Sequence, residues 1–177
     1  EEAADAVPEL KEAGITKVVM MTGDSERTAA AIAKRVGVDE YYSEVLPEDK
    51  ASFVEKEKEL GHKVIMIGDG INDSLALSSA SVGIAISDGA AIAREIADVT
   101  ISADNLHEIV TLKRLSTALM KRIHNNYRTI IGINGGLIAL GVTGIIMPTT
   151  SALLHNMSTL TISLRSMRNL LPKEEEA

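Results

Sequence analysis

The loop Gly68–Asp73, with the sequence GDGIND, carries the residue types in this chain that most directly suggest chemistry. Glycines flank Asp69, so the backbone can approach a ligand closely there. Asp69 and Asp73 offer carboxylates and Asn72 an amide, and Mg²⁺ in proteins takes one or two carboxylates with waters and phosphate oxygens. The loop is therefore a candidate magnesium and phosphate site, although an isolated Asp-Gly pair also fits a turn, with Asp73 capping the next helix.

Two other segments offer groups suited to a phosphate. Thr22, Gly23 and Asp24 form the sequence TGD at the end of an apolar run, where a hydroxyl and backbone N–H groups could meet phosphate oxygens. Lys50, in the sequence PEDK, stands near the predicted start of a helix and is predicted to project its ammonium group towards the same edge. Phosphoryl transfer depends mainly on positioning and on cations that stabilise the developing charge. Together with the acidic loop, these segments predict a site for that reaction.

The apolar pattern from Lys17 to Ile101 predicts alternating strands and helices. Four short apolar runs predict strands: KVVMM, HKVIMIG, VGIAI and DVTI. The predicted helices run from Asp24 or Ser25 to Val36 with Gly37 closing the helix, from Pro47 to near Gly61, from Asn72 to Ala80, and near Ala91 to Ala97. The alternation indicates an α/β fold with a doubly wound, mostly parallel sheet. Ligands of such sheets bind at the carboxyl ends of the strands, where the acidic loops fall.

The chain beyond Asn105 shows a different pattern. A long helix with basic residues is followed by 19 uncharged residues, Thr129–Met147, roughly the length that crosses the hydrocarbon core of a bilayer. Pro148 interrupts the run, and a second, more polar uncharged stretch occupies Thr149–Leu164. The prediction is a stalk helix over 105–128, an α-helical transmembrane hairpin over 129–171 and a charged tail over 172–177.

Charge is distributed unevenly along the chain. Residues 1–112 contain 22 acidic and 10 basic residues, whereas residues 113–177 contain 8 basic and 3 acidic ones. Basic residues flank both ends of the predicted hairpin and none stands near Pro148, so the positive-inside rule places both outer ends, and the acidic domain, in the cytoplasm. The acidic domain has no basic patch for nucleic acid, and the absence of cysteine excludes disulfides and thiolate metal sites from this sequence.

The order and spacing of the motifs resemble a known family. TGDS, LPEDK and MIGDGINDSLALSSASVGIAI together resemble the phosphorylation domain of P-type ATPases, a branch of the haloacid dehalogenase-like superfamily. The resemblance extends from about Glu1 to Leu171, and GDGIND followed by VGIAI and a Gly-Ala-Ala helix is most similar to the heavy-metal-transporting branch. It implies a multi-pass membrane pump driven by ATP. This chain would be the C-terminal part, with residues 1–104 an incomplete Rossmann-like phosphorylation domain.

The resemblance also implies roles for the site residues. Contact with the phosphoryl group or phosphate is implied for Thr22, Gly23, Lys50 and Asn72, Mg²⁺ binding for Asp69 and Asp73, and support of the loops for Asp24 and Asp73. The family's nucleophile is an aspartate in the sequence DKTGT, which does not occur in this chain. ATP would be bound mainly by a nucleotide-binding domain that is also missing. The fragment alone is thus expected to be inactive and to need the N-terminal portion of the same pump.

Polar residues in the predicted membrane helices are candidates for binding the transported ion, because polar groups are costly in lipid. They are Asn134 in the first helix and His155, Asn156, Ser158 and Thr159 in the second. Such Asn, Ser and Thr residues also commonly hydrogen-bond neighbouring helices. In copper pumps of the family, the corresponding helices resemble the patterns Tyr-Asn and Met-x-x-Ser-Ser. This chain instead has Ile133 at the Tyr position and His155 at the Met position. We therefore predict a divalent ion at Asn134, His155 and Ser158, ranking Zn²⁺ or Cd²⁺ before Mn²⁺, Fe²⁺ or Co²⁺.

This predicted ion site has a geometric difficulty. Counted from Pro148, Asn134 and His155 differ in depth by roughly 10 Å if both helices are straight. The two residues can share an ion only if the helices are offset or unwound.

Three other functions fit parts of the sequence. A soluble phosphatase of the haloacid dehalogenase-like superfamily would explain the TGD, Lys50 and GDGIND motifs, but would leave the hairpin without a purpose. A non-catalytic regulatory or membrane-anchoring fragment would need neither nucleophile nor nucleotide. The catalytic subunit of a potassium pump shares the phosphate motifs, but the polar helix around His155 fits it poorly.

Overall fold

A computed structural model of the chain describes residues 2–68, 71–86, 95–101 and 107–170, with side chains described from Ala6 onward except at Ile71. The chain divides into two compact units, Glu1–Leu112 and Lys113–Ala177. The helix predicted near Ala91–Ala97 falls largely outside the described residues, and the predicted charged tail falls entirely outside them.

The first unit alternates short strands and helices, as the apolar pattern predicts. Its helices are α1 (Glu2–Glu12), α2 (Glu26–Val36), α3 (Pro47–Glu59) and α4 (Ser74–Ser79), the last preceded by a 3-10 turn (Ile71–Asp73). Its strands are β1 (Val19–Met21), β2 (Glu40–Tyr42), β3 (Ile65–Gly68), β4 (Val82–Ile86) and β5 (Val99–Ile101). The four predicted strands are confirmed, VGIAI with its full length and the other three with shorter bounds, and β2 is an addition. As predicted, α3 begins at Pro47, and Gly37 ends α2 in the left-handed conformation with φ 78°.

All strand pairs are parallel, but they form two sheets rather than the single sheet that the sequence pattern predicts. β1 pairs with β2, with Met20 opposite Tyr41, while β4 lies between β3 and β5, with Ile67 opposite Ile84. The difference from the predicted single sheet lies in the strand edges. Within the described residues β1 and β3 each pair along one edge only, so the backbone groups of the other edge have no strand partner.

Helices cover both faces of the three-stranded sheet. Successive residues of a strand point to opposite faces, and in β4 Ile84 joins a buried cluster with Leu10 and Ile101, whereas Ala85 packs with Leu77 of α4. Every buried apolar side chain among the described residues is Ala, Val, Leu or Ile, as the low aromatic content predicts. The first unit is therefore a layered α/β domain with an aliphatic core.

Gly83 allows α4 to lie directly on β4. A Cβ atom at this position would stand 2.7 Å from the main-chain oxygen of Leu77. A main-chain oxygen cannot move aside as the end of a flexible side chain can, so this close approach requires glycine.

The second unit consists of two helices. α5 (His107–Val142) begins in the first unit and runs for 36 residues, so the predicted stalk and the first predicted span form one continuous helix that ends before Met147. α6 (Pro148–Ser166) begins with Pro148, whose missing N–H is tolerated in a first turn. Within the described residues, no helix has both the length and the apolarity that crossing a membrane requires.

Candidate functional site

The Thr22–Asp24 loop follows β1 and is held by main-chain hydrogen bonds. The Thr22 N–H donates to the Tyr42 carbonyl at 3.0 Å, and the Val45 N–H donates to the Thr22 carbonyl at 3.0 Å. The Glu44 N–H donates to the Asp24 carbonyl at 2.9 Å. Glu44 has a φ of 53°, a left-handed conformation that non-glycine residues rarely adopt. The segment after β2 is thus turned back onto the loop and fixes its position.

Within this loop, Asp24 orients the Thr22 hydroxyl. Thr22 Oγ1 donates to Asp24 Oδ2 at 3.0 Å and accepts from the Asp24 N–H at 3.1 Å. Ser25 occupies the predicted N-cap position of α2, but its side chain makes no capping hydrogen bond. Gly23 leaves open space, since the nearest atom to a Cβ placed there would be the Val45 carbonyl oxygen at 3.9 Å. The geometry therefore agrees with a supporting role for Asp24.

Lys50 and Asp73 form a largely buried ion pair. Lys50 lies in the first turn of α3, and its Nζ is 2.7 Å from Asp73 Oδ1, with 15% and 10% of the two side chains exposed. Asp73 occupies the N-cap position of α4 but makes no side-chain capping hydrogen bond. The carboxylate thus holds Lys50 rather than serving as a simple helix cap. Removing either partner would leave an uncompensated charge in a poorly hydrated position.

Gly68 brings Asp73 to the carboxyl end of β3. A Cβ atom at position 68 would stand 2.5 Å from Asp73 Cβ and 3.0 Å from Asp73 Oδ2. The first glycine of GDGIND is therefore needed because the Asp73 side chain folds directly over it. Asp73 in turn fixes Lys50 at this end of the strand.

The start of α3 connects the Thr22–Asp24 pair with the Lys50–Asp73 pair. Val45 is hydrogen-bonded to Thr22, and Leu46 is the N-cap of α3, so Lys50 stands about one helical turn beyond the residue that contacts the Thr22 loop. One short segment therefore connects the polar groups that follow β1 with those that follow β3.

The remaining predicted residues of this site are less well defined. Asp69 lies outside the described residues, and Asn72 is exposed. Within the described part of the chain, no three His or acidic side chains cluster as a metal site. The donor set still fits Mg²⁺, which needs only one or two carboxylates, because Lys50 engages only Oδ1 of Asp73 and Asp69 follows β3 directly in sequence.

The second unit brings two of the predicted ion-site residues together. His155 Nδ1 lies 2.9 Å from Asn134 Oδ1. Because an amide oxygen only accepts, Nδ1 is the donor, and a neutral ring then keeps its lone pair on Nε2. Ser158 Oγ and Thr159 Oγ1 donate to the His155 carbonyl at 2.8 and 3.0 Å, so their hydroxyl oxygens retain acceptor capacity.

The predicted difference in depth between Asn134 and His155 along the two helices is wrong. It was counted from Pro148, but α5 ends at Val142, and the residues between the helices do not advance the chain along a helix axis. Counted from the helix ends, Asn134 lies eight residues before Val142 and His155 seven residues after Pro148, or about 12 and about 10.5 Å. The two side chains therefore meet without any unwinding of either helix.

The polar support around the Thr22 loop was not predicted. Glu26 accepts hydrogen bonds from Ser43 Oγ at 2.6 Å and Tyr41 OH at 2.8 Å, and these bonds lower the pKa of Glu26, while the carboxylate raises the pKa of Tyr41. No sequence signal marks this support, because Glu44, which turns the segment, is not a residue type that favours the left-handed region.

Both parts of the chain are similar to known proteins. Residues 1–81 match the family model for haloacid dehalogenase-like hydrolases. The zinc-exporting P-type ATPase of Mycobacterium marinum is 37% identical over 168 residues, covering 94% of this chain and 23% of the relative. The manganese-exporting P-type ATPase of Mycobacterium bovis is 38% identical with the same coverage, and the copper-exporting P-type ATPase of Bacillus subtilis is 39% identical over 92% of this chain and 20% of the relative.

The same relationship holds for the three-dimensional structure. The crystal structure of a zinc-transporting PIB-type ATPase in the E2.Pi state matches with a TM-score of 0.89 and 33% identity, covering 97% of this chain and 28% of that one. The chain spans about a quarter of the length of the curated relatives it matches. The chain is thus homologous to a segment of heavy-metal-exporting P-type ATPases, and its first unit contains an α/β domain similar to the haloacid dehalogenase-like hydrolases.

Proposed function

We propose that this chain is part of an ATP-driven pump that exports a divalent heavy-metal ion through an aspartyl-phosphate intermediate. The observation that carries the proposal is the linked pair of contacts, Thr22 with Asp24 and Lys50 with Asp73, at strand ends of the α/β domain. The nucleophilic aspartate is supplied by a part of the pump outside this sequence, since DKTGT does not occur here. The chain by itself is therefore inactive.

Each site residue has a defined task in phosphoryl transfer. The Lys50 ammonium group stabilises the negative charge on the transferring phosphoryl group, and Asp73 holds it in place. The Thr22 hydroxyl exchanges its bond to Asp24 for one to a phosphate oxygen, and Asn72 contacts phosphate. Asp69 and Asp73 hold Mg²⁺, which when bound neutralises charge on the phosphate oxygens. ATP is bound mainly by a nucleotide-binding domain outside this sequence.

The two separate sheets indicate where the missing nucleophile enters. β1 leads into the Thr22 loop and β3 into the GDGIND loop, and each of these strands has one edge without a partner among the described residues. A further parallel strand between these two edges would satisfy both and would join the sheets. Its carboxyl end would then lie beside the two site loops, which is where a nucleophile is needed.

We also propose that residues 129–171 cross the membrane as a helical hairpin, with the domain over 1–104 in the cytoplasm, a stalk over 105–128 and a short tail over 172–177. In α5 and α6 large apolar side chains such as Ile131, Ile138, Leu153 and Leu160 are exposed. Asn134 and His155 bond to each other, so the polar groups that reduce the apolarity of each helix need not face lipid. The match to a zinc pump over 97% of the chain supports this arrangement and disfavours a soluble phosphatase.

The transported ion is proposed to be divalent, with Zn²⁺ or Cd²⁺ ranked first and Mn²⁺, Fe²⁺ or Co²⁺ next. The free Nε2 of His155 suits these borderline ions, and the hydroxyl oxygen of Ser158 and the amide of Asn134 could complete part of the ligand set. Similar relatives are named for zinc, manganese and copper, so the choice rests on these side chains rather than on the relatives.

Phosphoenzyme formation in the intact pump tests the proposed function. Asp69→Asn should abolish the Mg²⁺-dependent transfer of labelled phosphate from ATP, because it removes a proposed ligand of the cation. The phosphoprotein of the unaltered pump should be cleaved by hydroxylamine, as an acyl phosphate is. Glu48→Gln changes an exposed carboxylate on α3 and should leave the phosphoenzyme level unchanged. A normal level in Asp69→Asn would refute the assignment.

A further inference from the structure

The two helices of the second unit line an open basic cavity at the ends opposite their connecting turn. The cavity has a volume of about 330 Å³, and its lining includes the cationic side chains of Lys121, Arg122, Arg165 and Arg168. Asparagine side chains complete the polar part of its lining. The composition of the wall therefore favours an anion that accepts several hydrogen bonds.

No carboxylate of this unit neutralises these charges within the described residues. From Lys113 to Leu170 the chain contains no acidic residue at all. Within the same stretch the side chains of Lys121, Arg165 and Arg168 are in no ion pair with a described residue. Like charges that line one cavity repel one another, and a bound anion relieves that repulsion.

One of the four cations is fixed by the fold before any ligand binds. Arg122 Nη1 donates to the carbonyls of Ser166, at 3.0 Å, and Arg168, and Nη2 donates to the Asn169 carbonyl at 3.0 Å. Asn126 Nδ2 adds a bond of 2.6 Å to Ser166 Oγ. These contacts tie the end of α6 to α5, so the cavity keeps its shape and a ligand need not order it.

The cavity lies at a defined distance from the turn between the helices. Arg122 stands 20 residues before the end of α5, and Arg165 stands 17 residues after the start of α6. At 1.5 Å per residue these separations are about 30 and about 26 Å, close to the thickness of the hydrocarbon core of a bilayer. This step rests on the proposed function: if the hairpin spans the membrane with its turn outward, the cavity lies at the cytoplasmic headgroups.

We propose that this cavity binds the headgroup phosphate of an acidic phospholipid in the cytoplasmic leaflet. Basic pockets between membrane helices on that side suit such headgroups, and guanidinium groups form paired hydrogen bonds with phosphate oxygens. A lipid fits better than free phosphate because apolar side chains continue from the cavity along α5. Ile123 and Ile130 are exposed on the side of Arg122 that leads towards the turn, where they can contact acyl chains.

Lipid titration of the intact pump tests this site. Native mass spectrometry would compare phosphatidylglycerol with phosphatidylcholine of the same acyl chains. Arg165→Gln/Arg168→Gln should weaken phosphatidylglycerol binding about tenfold or more, since each cation near a membrane surface contributes about 1 kcal/mol. Arg122 is left unchanged because it holds α6 in place. The control Lys113→Gln/Arg114→Gln removes two charges from α5 outside the cavity, about 12 Å or more from Arg122 on the side away from the membrane, and should change the affinity by less than about threefold.

Three results would overturn the proposal. Equal weakening of phosphatidylglycerol binding in both double variants would show general electrostatic attraction. Phosphatidylcholine binding as tight as that of phosphatidylglycerol would show that the site does not need an anionic headgroup. Displacement of the lipid by millimolar inorganic phosphate would identify a site for free phosphate instead. Phosphoenzyme formation measured on the same samples separates this proposal from the pump assignment, because a charge-selective lipid site without phosphoenzyme would contradict only the latter.

Discussion

The two units of this chain place their functional polar groups in opposite surroundings. In the first, Lys50 and Asp73 form an ion pair with 15% and 10% of their side chains exposed, next to a core of aliphatic residues. In the second, His155 is exposed although it bonds to Asn134, and no residue between 113 and 170, a fully described stretch, is buried. The first site is thus enclosed by its own unit, and the second is not.

This difference shows what each unit needs from its surroundings. The α/β domain has its own core, so it can hold Thr22, Lys50 and Asp73 in place. The helical pair fixes the contact between its two helices, and among the described residues 113–170 no side chain is buried. In the proposed pump the outer surfaces of these helices meet lipid and further helices. Changes in the first unit should therefore act within this chain, whereas changes in the second should depend on what surrounds it.

The largest expected effect comes from breaking the Lys50–Asp73 pair. Lys50→Met leaves the Asp73 carboxylate largely buried without a partner, so we expect the unfolding free energy of the first unit to fall by about 3 kcal/mol. Phosphoenzyme formation in the intact pump should fall by about 100-fold or more, because a cation at the phosphoryl group is lost. Denaturant unfolding and labelling from ATP measure the two effects.

The double variant Lys50→Met/Asp73→Asn separates the two effects. It removes both charges and should recover much of the stability without restoring phosphorylation. If stability and phosphorylation return together, Lys50 has only a structural role.

The next effect compares a glycine in each unit. Gly83→Ala places a methyl group against the Leu77 main-chain oxygen and should lower the unfolding free energy by about 1–3 kcal/mol. Gly135→Ala, in α5, meets nothing within 4 Å in this chain and should be neutral or stabilising by up to about 1 kcal/mol. Denaturant unfolding of the chain in detergent measures both, and a similar loss in the two variants would contradict the contrast between the units.

A smaller effect is expected at the helical pair. His155→Ala removes the imidazole and should raise the metal concentration for half-maximal ATPase stimulation of the intact pump by about tenfold, leaving the fold unchanged. Asn134→Ala should act in the same direction, because it removes the side chain that orients the His155 ring. Asn156→Ala is the matched control on the neighbouring position. Unchanged stimulation by every metal of a Zn²⁺, Cd²⁺, Mn²⁺, Fe²⁺ and Co²⁺ panel would remove His155 from the transport site.

The smallest effect is a pH dependence in the support of the Thr22 loop. Hydrogen bonds from Ser43 and Tyr41 hold the pKa of Glu26 below its ordinary value of 4.5. A carboxylate with a lowered pKa stabilises the folded state at pH values above its ordinary pKa. This stabilisation is lost as the pH falls through the lowered pKa of the folded state. Glu26→Gln should therefore lower Tm slightly at pH 7, with the difference disappearing in acid. A Tm difference that stays constant down to pH 3 would contradict this origin.

Residue patterns were sufficient to predict most of the first unit. Apolar runs predict β1, β3, β4 and β5, and local signals such as Pro47 and Gly37 predict where α3 begins and α2 ends. The order of the site motifs is also sufficient to predict the family. These features are local in the chain, so they are visible without knowledge of tertiary contacts.

The contacts that join distant segments were not predictable in the same way. The contact of the segment after β2 with the Thr22 loop involves the turn at Glu44, which has no sequence signal, and the number of sheets depends on which strand edges find partners. The meeting of Asn134 and His155 depends on the end of α5 at Val142, where Gly144 adopts the left-handed conformation, and the sequence does not distinguish this glycine from the others of the same apolar run. Each of these features is decided by packing or by the geometry of a connection rather than by local propensity.

The close approach of Gly68 to Asp73 constrains how this sequence can change over time. A Cβ atom at position 68 would stand 2.5 Å from Asp73 Cβ, so without a backbone shift a side chain there is tolerated only after position 73 has become glycine. A smaller residue at 73 would no longer hold Lys50. The two positions are therefore inherited as one unit, and no single substitution at 68 leads away from glycine while the ion pair is kept.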